Sequence, residues 1–98
     1  MLKIKEEYIN YLYDAMTLID NRKECENFFK DIFTFQEIES IAQRLQVAKL
    51  LSEGKSYIDI NKETGASTAT ICRVSRCLNY GDGGYRTIID KLGENDEN

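Results

Sequence analysis

The sequence predicts an all-α protein, a small helical bundle that carries a helix-turn-helix. Three observations lead there. No proline occurs in the 98 residues, and strong turn signals fall at only a few points, so long helices are the default. Apolar residues recur at three- and four-residue spacing and not in strict alternation. Between residues 56 and 80 the order is cap, short helix, glycine, cap, longer helix.

The first helix is expected from about Lys5 to Ile19. Tyr8, Leu12, Ala15 and Ile19 fall on one face, and Ile9, Tyr13 and Met16 widen it. That stripe is too wide for a helix lying on a small monomer and suits one buried between two chains. Asp20-Asn21 is a turn signal. A second helix is expected over Arg22 to Ile32, and its phenylalanines are read as packing rather than as a ligand cage. Residues 1–33 are therefore the expected dimerisation helices.

Thr34-Phe-Gln-Glu37 reads as a capping box, in which the Thr34 hydroxyl accepts from a backbone N–H and Glu37 reaches back. The helix it opens is a core helix within 34–54. Ile38, Ile41, Ala42, Leu45 and Ala48 form its inner face, Val47, Leu50 and Leu51 broaden it, and Gly54 closes it. Ser56 caps a short helix over Tyr57 to Thr64, with Ile58 and Ile60 available to pack. Gly65 stops that helix, and Ser67 caps the next, from Thr68 to about Tyr80. The glycines at 81, 83 and 84 break the chain again. A last helix is expected over 85–92, with Ile88, Ile89 and Leu92 inward, followed by an acidic, mobile tail at 94–98. Residues 1–93 are expected to form a single domain.

Composition narrows the function. No histidine is present, which removes the commonest general base and the commonest zinc ligand together. A Ser-His-Asp hydrolase and a histidine-dependent metalloenzyme are excluded, and no catalytic residue, metal site or cofactor is predicted. Cys25, Cys72 and Cys77 are odd in number and form no CxxC, so a disulfide framework is not expected. No apolar run approaches the ~18–20 residues of a membrane span, and the N-terminus has no signal-peptide core. The reading is cytoplasmic.

The formal net charge is −4, yet residues 43–86 carry seven basic side chains (Arg44, Lys49, Lys55, Lys62, Arg73, Arg76 and Arg86) against four acidic ones. An acidic frame surrounds a locally basic centre, and the local field is what a phosphate backbone feels within a Debye length.

In the helix after Ser67, the residues Ile71, Val74 and Leu78 share one face and must point inward. Ala69, Thr70, Arg73, Arg76 and Tyr80 lie on the far side or its flanks. The first turn, Ser67-Thr68-Ala69-Thr70, is small and polar, as a helix tip approaching base edges must be. Thr68 and Thr70 can donate or accept, Ala69 can meet a thymine methyl, and the arginines can reach phosphates or bases. A glycine-hinged helix pair with a solvated basic face also occurs in bundles that bind no DNA. That leaves a protein-interaction module as the alternative to a double-stranded-DNA-binding regulator.

The stretch from Phe33 to Leu78 resembles the Trp repressor family, in particular its YerC/YecD branch. The carrying residues are Thr34-Phe-Gln-Glu37, Gln43-Arg44, Leu50-Leu-Ser-Glu-Gly54, Gly65-Ala-Ser-Thr-Ala-Thr-Ile-Cys-Arg73, and Arg76-Cys-Leu-Asn-Tyr-Gly81 followed by Gly83-Gly84-Tyr85. The resemblance implies a Trp-repressor-like, intertwined homodimer with two reading heads on a palindromic operator, acting as a repressor. It implies DNA contacts from Ser67, Thr68, Ala69, Thr70 and Cys72, with Asn61 in the preceding helix.

The same resemblance places Arg44 and Arg73 where the family's two arginines sandwich the corepressor's indole ring, with Thr34 nearby. A glycine of the family's site is Val74 here, which is expected to crowd the ring. The serine that holds the ligand's amino group is Cys77, a poor acceptor for an ammonium. Tryptophan is therefore not the expected effector. Arg44 and Arg73 are left with three readings: holding another small carboxylate, binding phosphate, or pairing with acidic side chains of the fold.

Overall fold

The computed structural model describes residues 5–96 and contains six helices: α1 (Glu6–Thr17), α2 (Arg22–Ile32), α3 (Phe35–Ser52), α4 (Tyr57–Thr64), α5 (Thr68–Tyr80) and α6 (Gly84–Asp96). No strand occurs among the described residues. Residues 1–4 of the expected dimerisation segment, and 97–98 of the expected tail, lie outside them. The chain divides into two compact units, residues 1–35 and 36–98.

In the N-terminal unit, the Asn21 side chain accepts from the Glu24 N–H at 2.9 Å and caps α2. The rings of Phe29 and Phe33 meet edge to face with centroids 5.0 Å apart. Ala15, Leu18, Ile19 and Phe28 line a shallow cleft beside Glu24. Neither α1 nor α2 has a buried residue, and Tyr8, Tyr11, Tyr13 and Leu18 are largely exposed.

The C-terminal unit holds the core: Val47, Ala48 and Leu50 of α3, Ile60 of α4, Ala66 of the turn, and Ile71 and Val74 of α5. Leu51, Tyr85 and Ile89 pack against it. The expected α3 face is thus buried only in its second half. Ile38, Ile41 and Leu45 are half-buried and Ala42 is exposed, because the helices that form the core flank only the C-terminal turns of α3. In α4 only Ile60 is buried, and Ile58 is 69% exposed.

Helix α3 ends in a Schellman arrangement. The Lys55 N–H donates to the Leu50 carbonyl at 3.1 Å and the Gly54 N–H to the Leu51 carbonyl at 3.0 Å. At the other end of the unit, α6 runs past Gly93 to Asp96, where a tail was expected from residue 94. A glycine inside a helix costs only about 0.5–1 kcal/mol relative to alanine. Gly93 does not take the left-handed turn with which Gly54 and Gly65 end their helices.

Candidate nucleic-acid interface

The site is built on a three-residue turn. Ser56 accepts from the Asp59 N–H at 3.1 Å and starts α4. Gly65 ends it at φ 74°, a left-handed conformation that costs any residue with a Cβ roughly 1–2 kcal/mol. Thr64 then ties the turn to its own helix: its hydroxyl donates to the Ile60 carbonyl at 2.7 Å and accepts from the Ala66 N–H at 3.1 Å. The Asn61 amide donates to the Ala66 carbonyl at 2.8 Å. Ala66 is buried beneath these bonds. From α3, the Gln43 amide donates to the Thr64 carbonyl at 3.2 Å.

Helix α5 leaves this turn with Ser67 as its cap. Its hydroxyl accepts from the Thr70 N–H at 3.2 Å and donates to the Thr70 hydroxyl at 3.1 Å. Ile71, Val74 and Leu78 are buried, so the opposite face is the one presented. Thr68, Ala69, Cys72, Arg73 and Arg76 are exposed, and Thr70 is half-buried. Six of the eight residues expected at DNA (Thr68, Ala69, Thr70, Cys72, Arg73 and Arg76) therefore lie on one short helix, with Ser67 at its tip and Asn61 behind the turn. Ser67, Thr70 and Asn61 also hold the turn and cap, which leaves Thr68, Ala69 and Cys72 as the uncommitted side chains of the first turns.

No carboxylate among the described residues lies within ion-pair distance of Arg44, Arg73 or Arg76. Pairing with acidic side chains of the fold, one of the three roles left open for Arg44 and Arg73, is thus absent within the described chain. Guanidinium groups without a carboxylate partner are suited to phosphate.

The residues expected around an effector lie on different elements. Thr34 belongs to the N-terminal unit. Arg44 is half-buried on α3, and Arg73 is exposed on α5. Cys77 lines a cleft with Leu45, Gly81, Asp82, Gly84, Tyr85 and Ile88 that includes neither arginine. Val74 is 2% exposed and packed in the core, because it shares the inward face with Ile71 and Leu78.

Two polar anchors of α5 were not singled out from the sequence. Gln43 holds the turn from α3. Arg86 on α6 donates through Nε to the Leu78 carbonyl at 3.1 Å and through Nη2 to the Asn79 Oδ1 at 3.2 Å, closing the far end of the helix. A cation just beyond a helix C-terminus is a readable signal for such a closure. Nothing in the sequence sets Gln43 opposite Thr64, since the register between α3 and α4 is a tertiary property.

Capped α4, left-handed turn and capped α5 with an outward basic face define a helix-turn-helix protein. The family model described as Trp repressor protein matches residues 7–93. The chain is 46% identical over 92 residues to a Bacillus subtilis (strain 168) protein described as uncharacterized protein YerC, covering 94% of this chain and 88% of that one. It therefore belongs to the Trp repressor family, in its YerC-like branch. Two solved structures share the fold at 45% identity. A TrpR-like protein from Eubacterium eligens ATCC 27750 has a TM-score of 0.86 over 91% of this chain and 92% of its own. A candidate Trp repressor from Staphylococcus aureus has a TM-score of 0.85 over 91% and 89%.

Proposed function

We propose that the protein is a sequence-specific, double-stranded-DNA-binding transcriptional regulator, a repressor that acts as a cytoplasmic homodimer. The observation that carries this reading is the outward face of α5. Thr68, Ala69 and Cys72 are exposed at its first turns, and Arg73 and Arg76 are exposed and unpaired among the described residues. This combination offers small groups to base edges and cations to phosphates. The dimer reading is supported by α1 and α2, which have no fully buried residue, and by the family's name for a repressor. Symmetry would set two reading helices about one DNA turn, roughly 34 Å, apart on a palindrome. Among the described residues no helix is long and apolar enough to cross a membrane.

The effector class that Arg44 and Arg73 support is a small carboxylate. Tryptophan does not fit the proposal, because a thiol at Cys77 accepts poorly from an ammonium group. Micromolar binding of tryptophan by calorimetry would overturn that exclusion.

The deciding experiment is selection from a random duplex library at about 100 mM salt, where phosphate contacts still contribute strongly, with and without a pool of amino acids. Enrichment of a palindrome with half-sites one turn apart is the expected result, and a difference between the pools identifies the effector class. No enrichment in either arm overturns the regulator reading and leaves a protein-docking module.

A further inference from the structure

The strongest unassigned feature is the bond from Gln43 to the Thr64 carbonyl. It joins residues 21 apart in sequence, whereas the other side-chain bonds at the turn are local, five residues apart or fewer. Those local bonds give the turn its shape. They do not place it, because every partner moves with α4 or with the turn itself. Gln43 is the polar contact that refers the turn to α3.

We propose that Gln43 is a positioning residue for the reading helix: it locks the α4–α5 turn to α3, so the tip of α5 is held at one height and angle to the core. The proposal rests on the DNA-binding reading for its consequence, though not for the clamp itself. Three features support it. The bond is partly buried, where competition from water is reduced. Its acceptor is the last residue of α4, so a shift there swings Ser67 and the first turn of α5 directly. The next residue on α3 is Arg44, half-buried and without a carboxylate partner among the described residues. A ligand that draws Arg44 out of place would therefore move the same turn of α3 that carries the clamp, and the reading helix would follow.

The chemistry of the side chain matters. An amide donates to a carbonyl, whereas a carboxylate in the same place has no proton to give and faces the Thr64 oxygen with like charge. Methionine keeps the stem and removes the donor. Gln43→Met and Gln43→Glu are thus two independent ways to open the clamp, and the first preserves packing.

The test combines amide hydrogen exchange with duplex binding on the full chain. In Q43M, exchange at the Gly65 and Ala66 N–H groups should accelerate roughly 3- to 10-fold, the size expected from losing one hydrogen bond, while exchange in α1 stays as in the parent. Affinity for the selected duplex should fall by a similar factor, and affinity for random duplex, which depends on phosphate charge, should hold. Q43E should exceed Q43M in both effects. Unchanged exchange at the turn overturns the clamp, whatever the parent does with DNA. Faster exchange with an unchanged ratio of selected to random binding overturns its positioning role, as does a parallel loss of both binding modes that tracks a lowered Tm. If the parent enriches no duplex, the regulator reading falls and the exchange measurement alone decides whether Gln43 holds the turn.

Discussion

Residues 36–98 and residues 1–35 are both helical, but they are stabilised by different means. In the first, four helices enclose a continuous set of aliphatic side chains, with Val47, Ile60 and Ile71 at zero exposure. In the second, α1 and α2 have 12 and 11 residues and no buried side chain. Helices shorter than about 12–15 residues are marginal on their own in water, and a segment below about 40 residues rarely supports itself without help from a partner, metal or disulfide. The apolar residues of α1 are nevertheless abundant, with Tyr8, Leu12 and Tyr13 between 40% and 64% exposed. The contrast teaches that residues 36–98, the reading unit, carry their own core, while the N-terminal unit has apolar surface and no core to bury it in. The dimer proposed above would cover that surface.

The comparison breaks first if a core residue of the reading unit proves dispensable. Ile71 is fully buried on α5, and truncating a buried isoleucine to alanine costs about 2–5 kcal/mol through lost transfer energy and the cavity left behind. Ile71→Ala should lower the free energy of unfolding by that amount, measured by denaturant titration followed by circular dichroism. On the N-terminal side, Leu12→Glu should leave the helices of residues 36–98 intact and convert the dimer to monomer in sedimentation equilibrium. Burying a leucine is worth about 1.5–3 kcal/mol, and the symmetry of a homodimer counts the loss twice. A monomeric parent, or a Leu12→Glu dimer, would remove the proposed role of α1.

A smaller effect sharpens the picture at the end of α5. Gly81 closes that helix with φ −85°, so its backbone would tolerate any residue. Space is the constraint, because a Cβ there would run into the Cys77 carbonyl oxygen. Gly81→Ala must shift the backbone and should destabilise the reading unit by about 1–3 kcal/mol, the usual cost of overpacking. Thermal unfolding decides it: an unchanged Tm means the loop of residues 81–83 yields freely.

Much of this was legible because it is local. Ser56, Gly65 and Ser67 announce α4, the turn and α5 by residue type alone, and the structure has both helices where those signals put them. The buried face of α5 follows from spacing alone, and Ile71, Val74 and Leu78 are the residues it buries. What escaped the sequence depends on distant neighbours. Ala42 and Ile58 fit an apolar stripe yet stay exposed, since a stripe records which face is apolar and not how far along the helix the core extends. Gln43 is an ordinary polar residue until α3 and α4 are docked.

The smallest expected effect compares the two units most directly, through their helix caps. Ser67 caps α5 and Asn21 caps α2, each by accepting from the backbone N–H three residues on. Removing either side-chain oxygen leaves one N–H without its partner and costs about 0.5–2 kcal/mol. The chemistry of the two substitutions is the same, so any difference comes from what each helix is attached to. Ser67→Ala should lower the stability of the reading unit by an amount independent of protein concentration, because α5 is packed within its own chain. Asn21→Ala should cost little that a monomer can register, and its effect should shrink as dilution favours the monomer, because α2 has no buried residue of its own to anchor it. Melting curves of both variants over a hundredfold range of concentration separate these cases. Equal and concentration-independent losses would mean that the N-terminal helices are anchored within the chain after all.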